Sequence, residues 1–235
     1  MENVPELAHE QVFADFVTTL RNNNYHIYKH IVYCPDYGVP QHRKRLVLLA
    51  SKLGEISLIP PTHNQDTYVT VRQAIGGLRP ITDGECDPSD NMHRACRLSA
   101  INRQRIRQSQ PGGTWRDWDA SLQLECHKKR TGKSYPSVYG RMCWDEPSPT
   151  ITTQFYGLGN GRFGHPEQHR ALSLREGAIL QSFPPDYDFL ENDELPNKRK
   201  LGVQIGNAVP VELGRAIGLS IIANLREAGL YNAEG

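Results

Sequence analysis

No C-x-x-C pair occurs among the five cysteines, Cys34, Cys86, Cys96, Cys126 and Cys143. An odd count without paired spacing argues against a disulfide framework and favours a reducing, cytoplasmic setting. Cys86, His93, Cys96, Cys126 and His127 follow no common zinc-ligand spacing, so no metal site is expected. No apolar run approaches the ~20 residues of a membrane span, and no signal peptide is visible, so no membrane role is expected. Charge of one sign is missing as well. Lys plus Arg number 27 against 26 Asp plus Glu, so only local clusters can argue for a polyanionic partner. Arg103, Arg105 and Arg107 form one such cluster and His127 to Arg130 another; such runs are ordinarily solvated faces. Also absent are repeats, low-complexity tracts, a Walker loop, a GxGxxG loop and a nucleophile–base pair.

What remains is a chain of 235 residues, 38% apolar and 23% charged, ordinary for a globular protein of one or two domains. Val12, Phe13, Phe16, Val17 and Leu20 recur at three and four, which predicts a helix stopped by Asn22–Asn24. His26 to Tyr33 alternates as a strand does. A turn follows over Pro35–Pro40, then an apolar strand over Arg45–Ala50, and the pair is expected to form an antiparallel hairpin. A short helix is expected over Thr70–Leu78. From Asp83 to about Gly164 the chain mixes Gly, Pro, aromatic and basic residues. It holds one good helix, Ala100–Gln108, capped by Ser99. Ser148–Thr153 reads as a short β-type run. Ser173 and Glu176 form a capping box for a helix reaching about Ser182. Gln204–Pro210 reads as a turn into a last helix whose core stripe is Val211, Leu213, Ile217, Ile221, Ile222 and Leu225.

The stretch around which the rest is arranged is Tyr37–Ser51, YGVPQHRKRLVLLAS. Gly38 and Pro40 force a turn. Gln41, Arg43 and Arg45 then fall at every second position, on one face of an extended chain. Two readings are open: a solvated basic face, or a pocket edge for phosphate, a base edge or a carboxylate, since Arg presents a planar fork of donors. Glu2, Thr150 and Asn207 are the other polar candidates. Cys34, at a strand end before Pro35, reads as a small buried hydrophobe rather than a nucleophile.

Four segments carry a resemblance: ENV at 2–4, YGVPQHRKR at 37–45, HPEQHRALSLREGAILQSFP at 165–184 and GNAVP at 206–210. In this order they resemble the later motifs of the DNA (cytosine-5) methyltransferases. SPTITT at 148–153 is similar to that family's recognition-domain signature. The resemblance implies transfer of a methyl group from S-adenosylmethionine to C5 of a cytosine flipped out of double-stranded DNA. It implies that Glu2 contacts and protonates N3 and that Arg45 holds the base, with Arg43 shaping the same pocket. Gln41, Thr150 and Thr152 would meet DNA, and Asn207, Ala208 and Val209 would close the cofactor pocket. A nucleoid-associated protein of a restriction–modification system is implied.

The chain departs from that pattern in two places. It has no Pro-Cys pair, the family's nucleophile loop being Pro-Cys-Gln, and no early Gly-rich cofactor motif. The expectation is therefore an α/β chain: part of a Rossmann-like S-adenosylmethionine-dependent methyltransferase domain with a small loop-rich target recognition domain. The expected division is 1–82 for the second half of the catalytic domain, 83–170 for target recognition, 171–200 for a hinge and capped helix, and 201–235 for a returning helix. Such a chain is expected to be inactive alone and to need an N-terminal half as a separate chain. The alternative is a non-catalytic, sequence-specific DNA-binding module.

Overall fold

The computed structural model describes residues 1–129, 136–191 and 195–231. Arg130, the end of the second basic run, lies outside them. The chain forms two compact units. One is Met1–Tyr68 together with the chain from Val209 onward; the other is Val69–Ala208. These boundaries differ from the expected ones. Residues 69–82 and 171–208 join the loop-rich segment, because Val71, Ile75, Ile179, Leu180, Leu201 and Ile205 bury into one core with Phe155 and Phe163.

The first unit is built on strands β1 (Glu2–Asn3), β2 (His26–Tyr33) and β3 (Lys44–Ser51), in the order β1-β3-β2 with both pairs antiparallel. The hairpin is as expected, and Glu2–Asn3 adds an edge strand to it. Glu2 lies opposite Val47 and Asn3 opposite Leu46. Helix α1 (Gln11–Asn22) packs Phe13 and Val17 on Leu46 and Leu48, one face of β3. The opposite face, Val47 and Leu49, meets Leu213 and Ala216. β3 is thus covered on both sides, which explains its unbroken apolar run. Burying each of its leucines contributes about 1.5–3 kcal/mol. Within the expected α1 stripe, Val12 and Phe16 are exposed instead.

The first unit's last helix, Val211–Glu227, also departs from its expected stripe. Its buried line is Leu213, Ala216, Ser220 and Asn224, and Ile221 is exposed. The polar members bind the end of β3 and the chain that follows it. Ser220 Oγ accepts from Ile59 N (2.9 Å), Asn224 Oδ1 accepts from Ser51 Oγ (2.6 Å), and Asn224 Nδ2 donates to Glu55 O (2.8 Å). Apolar periodicity cannot reveal a face that is buried through such bonds.

The second unit has short helices α2 (Val71–Ile75), α3 (Ala100–Gln108), α4 (Glu125–Lys128), α5 (Leu174–Leu180) and α6 (Lys198–Asn207), leaving α7 for Val211–Glu227. A small hairpin joins β4 (Cys86–Asp87) to β5 (Asp90–Arg94). Thr70 with Gln73 and Ser173 with Glu176 form capping boxes, and Ser99 caps α3. Two expectations fail. Ser148–Thr153 forms no strand, because Pro147 and Pro149 remove ladder donors. Gln204–Asn207 is the last turn of α6, capped at its start by Asn197, rather than a free turn.

Polar groups organise this unit as much as apolar ones. Arg170 holds Glu176 bidentately at 2.7 Å and 2.7 Å, both side chains buried. Ser173 N donates to Glu176 (2.7 Å), and Ser173 Oγ lies 2.9 Å from His93. Arg141 donates to the carbonyls of Ser109, His165, Gln168 and Ile106 and to His169 Nδ1, all within 3.0 Å. Arg105, read as part of a solvated run, is buried and donates to Leu122 O (2.9 Å) against Trp118 and Tyr139. His127 is likewise buried, its ring stacked on Trp115 at 4.3 Å.

Lys198–Glu227 is the one stretch among the described residues with the length and apolarity of a membrane span. It is two helices, interrupted at Ala208–Pro210, and Leu201, Ile205, Leu213 and Ala216 from it are buried in cores of the protein.

Candidate functional site

The turn before β3 is made by Cys34–Tyr37 and by Gly38, whose φ of +83° favours glycine. It delivers the chain to β3 with the expected alternation. Gln41 and Arg43 are buried, His42 and Lys44 are exposed, and Arg45 is half-buried. The solvated-face reading therefore fails for the Gln41–Arg43–Arg45 side.

β1 lies beside β3, and this pairing sets Glu2 diagonally from Arg45. The Glu2 carboxylate stands 2.8 Å from Arg45 Nε, with the two side chains 15% and 14% exposed. The contact is an ion pair rather than an aligned hydrogen bond. Arg45 Nη1 also donates to Lys44 O (2.7 Å), fixing the guanidinium. Arg43 Nη1 donates to Gln41 Oε1 at 3.4 Å, and burial with Arg45 nearby lowers the Arg43 pKa to about 10. Gln41, expected to face DNA, has its side chain fully buried here, with Oε1 toward Arg43.

Cys34 sits in the same cluster and is fully buried. Burial pushes its thiol up to about 12, the nearby Arg43 and Arg45 notwithstanding. Burial thus keeps this thiol in its protonated form at neutral pH. Beside the turn lies a separate cavity of about 270 Å³, lined by Tyr37, Gly38, His63, Glu212 and Arg215 and including neither Glu2 nor Arg45.

In the second unit, Thr150 is half-buried and Thr152 exposed. The Thr152 backbone lies against α6, where a Cβ on Gly206 would come within 2.5 Å of the Thr152 carbonyl carbon. Only glycine allows this approach, which joins the SPTITT and GNAVP segments. Gln181 fastens the same corner by donating to the carbonyls of Ile205 (2.9 Å) and Ala208 (3.0 Å). Asn207 is exposed at the end of α6 and Ala208 is half-buried beside it; Val209, also exposed, begins the returning segment of the first unit. No group of three or more His, Cys, Asp or Glu able to hold a metal occurs among the described residues. The sequence reading passed over Arg141 and His169, because a lone arginine and a lone histidine in a loop carry no spacing signal.

Comparison with known proteins agrees across the chain. The family model described as C-5 cytosine-specific DNA methylase matches residues 1–223. The Type II methylase M.HgiDII of Herpetosiphon aurantiacus is 55% identical over 94% of this chain and 63% of its own length. The Type II methyltransferase M1.BsuMI of Bacillus subtilis is 32% identical over 93% of this chain and 49% of its own length. The chain thus spans about half to two thirds of these curated relatives. Among solved structures, a prophage-encoded DNA modification methyltransferase (E. coli) aligns with a TM-score of 0.68 at 21% identity, covering 96% of this chain and 68% of its own. The S. pombe Dnmt2 methyltransferase aligns with a TM-score of 0.57 at 15% identity, over 96% and 64%. At those identities the likeness is one of fold. The family match and the 55% identical relative settle the kinship: the chain belongs to the C-5 cytosine-specific DNA methylases.

Proposed function

We propose that this chain is the later part of a DNA (cytosine-5) methyltransferase, from its Glu-Asn-Val motif to its Gly-Asn-Ala-Val motif. In this reading the first unit is part of a Rossmann-like catalytic domain and forms one side of the cytosine pocket. The second unit contains the target recognition domain, within its loop-rich segment. The observation that supports it most is the Glu2–Arg45 pair. Two adjacent strands hold a carboxylate and a guanidinium 2.8 Å apart, mostly shielded from water, with Arg43 buried beside them.

A cytosine edge needs such a pair. Glu2 holds or delivers a proton at N3, and Arg45 stabilises the charge the ring gains as its C6 is attacked. Arg43, braced by Gln41, keeps the pocket wall in place. S-adenosylmethionine supplies the methyl group when bound. The exposed Asn207 amide beside Ala208 and Val209 suits one rim of that cofactor, a nucleoside with both polar and apolar parts. Thr150 and Thr152 lie toward the DNA.

With Cys34 buried and none of the five cysteines in a Pro-Cys-Gln loop, this reading takes the thiolate that adds to C6 from residues outside this sequence. The chain alone is therefore proposed to be inactive. The test is co-production with a chain bearing a Gly-rich motif and Pro-Cys-Gln. Methyl transfer from S-adenosylmethionine to duplex DNA is expected from the pair and not from either part. Transfer by this chain alone, or none with any such partner, sinks the reading. The rival, a non-catalytic DNA-binding module, is favoured by the second unit's own core. It predicts unchanged sequence-specific binding when Glu2 and Arg45 are both replaced by alanine, with no methylation in any combination.

A further inference from the structure

Away from those motifs, the second unit holds a cavity of about 390 Å³ whose walls include Pro80, Ile81, Asp83, Arg103, Arg107 and His169. Arg103 and Arg107 stand one turn apart on α3 and share an exposed face, while Arg105 between them turns inward. Asp83 is already engaged. It accepts from Leu98 N at 2.6 Å and lies 3.4 Å from Arg103, so the rim keeps one positive charge in excess.

His169 is set by the buried Arg141. Its Nδ1 accepts from Arg141 Nη2 at 2.9 Å, which leaves the ring neutral and Nε2–H as the remaining donor. Burial, Arg141 and Arg107 together hold its pKa below the ordinary histidine value. Ile81, almost fully buried, and Pro80 form an apolar wall. The cavity thus combines two guanidinium forks, a fixed neutral donor and an apolar side.

We propose that this cavity seats a sugar–phosphate group of a DNA strand, the phosphate on Arg103 and Arg107 and the C–H face of the deoxyribose against Pro80 and Ile81. Phosphate oxygens match the bidentate donors of arginine, and a sugar face needs no further polar partner. Such a contact would orient DNA on the second unit without reading its sequence. The proposal rests on the reading that the second unit meets DNA.

The test uses the full chain and a fluorescently labelled duplex, with anisotropy measured over a salt series. R103Q/R107Q is expected to bind roughly tenfold more weakly, and its slope of log K against log salt to fall by about one to two. R107Q alone, which leaves the Asp83–Arg103 contact in place, is expected to give a smaller loss of the same kind. Wild-type binding with unchanged affinity and slope in both variants overturns the proposal and leaves the DNA reading standing. Absence of wild-type duplex binding overturns the DNA assignment itself. In a second arm, deoxyadenosine monophosphate is titrated while the His169 ring signals are followed by NMR. Shifts that vanish in R107Q, without duplex binding, make the cavity a free-nucleotide site; no shift and no duplex binding removes both.

Discussion

The two units are stabilised by different means. In the first, a strand buried on both faces is sandwiched by helices, and side-chain alternation carries the polar pair Glu2–Arg45 to its place. In the second, buried cations hold loops together, Arg141 through four carbonyls and a histidine, and Arg170 through the Glu176 carboxylate, the carbonyls of Ile81 and Ala171 and the Gln168 side chain. A regular sheet can present functional groups by register alone. A loop-rich unit needs charged side chains in its interior to satisfy backbone carbonyls that no ladder reaches.

The largest expected effect is on activity. In the reconstituted enzyme, Arg45→Ala is expected to lower turnover by about 10²–10⁴-fold, with folding unchanged, measured by methyl incorporation into DNA. Wild-type turnover in that variant would remove the site from the first unit. Next, Arg141→Leu removes the donor to five acceptors at once, of which, among the described residues, only the Gln168 carbonyl keeps another partner, Arg170 N, and is expected to cost the second unit about 3–5 kcal/mol, read as a lower urea midpoint. Probes in the first unit, such as Tyr25 or Tyr28, are expected to keep their own transition; loss of both together would show that the units are not separately stabilised.

Acid should also separate them. Burial lowers the His165 pKa to about 4, and Arg170 holds Glu176 down at about 2 although burial alone would raise it. Both folded values lie below their ordinary ones, so the unfolded chain binds more protons. Their stabilisation is therefore full above about pH 6.5 and is lost downward, His165 acting between about 6.5 and 4 and Glu176 between about 4.5 and 2. The second unit's urea midpoint should fall across that window, and His165→Gln should remove its upper part. A smaller effect is expected from Ser173→Ala, about 1 kcal/mol from loss of the α5 cap. Smallest of all, Cys34→Ala should leave turnover of the reconstituted enzyme unchanged; a large loss would restore Cys34 as a chemical group.

What the sequence disclosed follows the same division. Periodicity and caps located α1, the β2–β3 hairpin, α3 and α5, and period two predicted the shared face of Gln41, Arg43 and Arg45. The edge strand at Glu2–Asn3 was not legible, because two residues carry no period. The buried line of α7 was misplaced because Ser220 and Asn224 are buried by hydrogen bonding rather than apolarity. α6 was missed because its cap Asn197 and the apolar pair Leu201 and Ile205 give only a single weak turn of pattern. Arg141 and Arg105 could not be foreseen as interior groups. Their partners are carbonyls far along the chain, and carbonyls leave no mark on composition.

One feature of connectivity bears on how the protein is made. The first unit is discontinuous: α7 is joined to β2 and β3 only after all of residues 69–208 have been synthesised. Ser51 must wait for Asn224, and Val47 and Leu49 lack part of the cover on one face until Leu213 and Ala216 emerge. On the ribosome the second unit, continuous in sequence, can finish first. The nascent sheet meanwhile offers a partly covered apolar face to any chaperone or neighbouring chain. Truncation or stalling ahead of α7 should therefore yield a product whose second unit is sound and whose first unit aggregates.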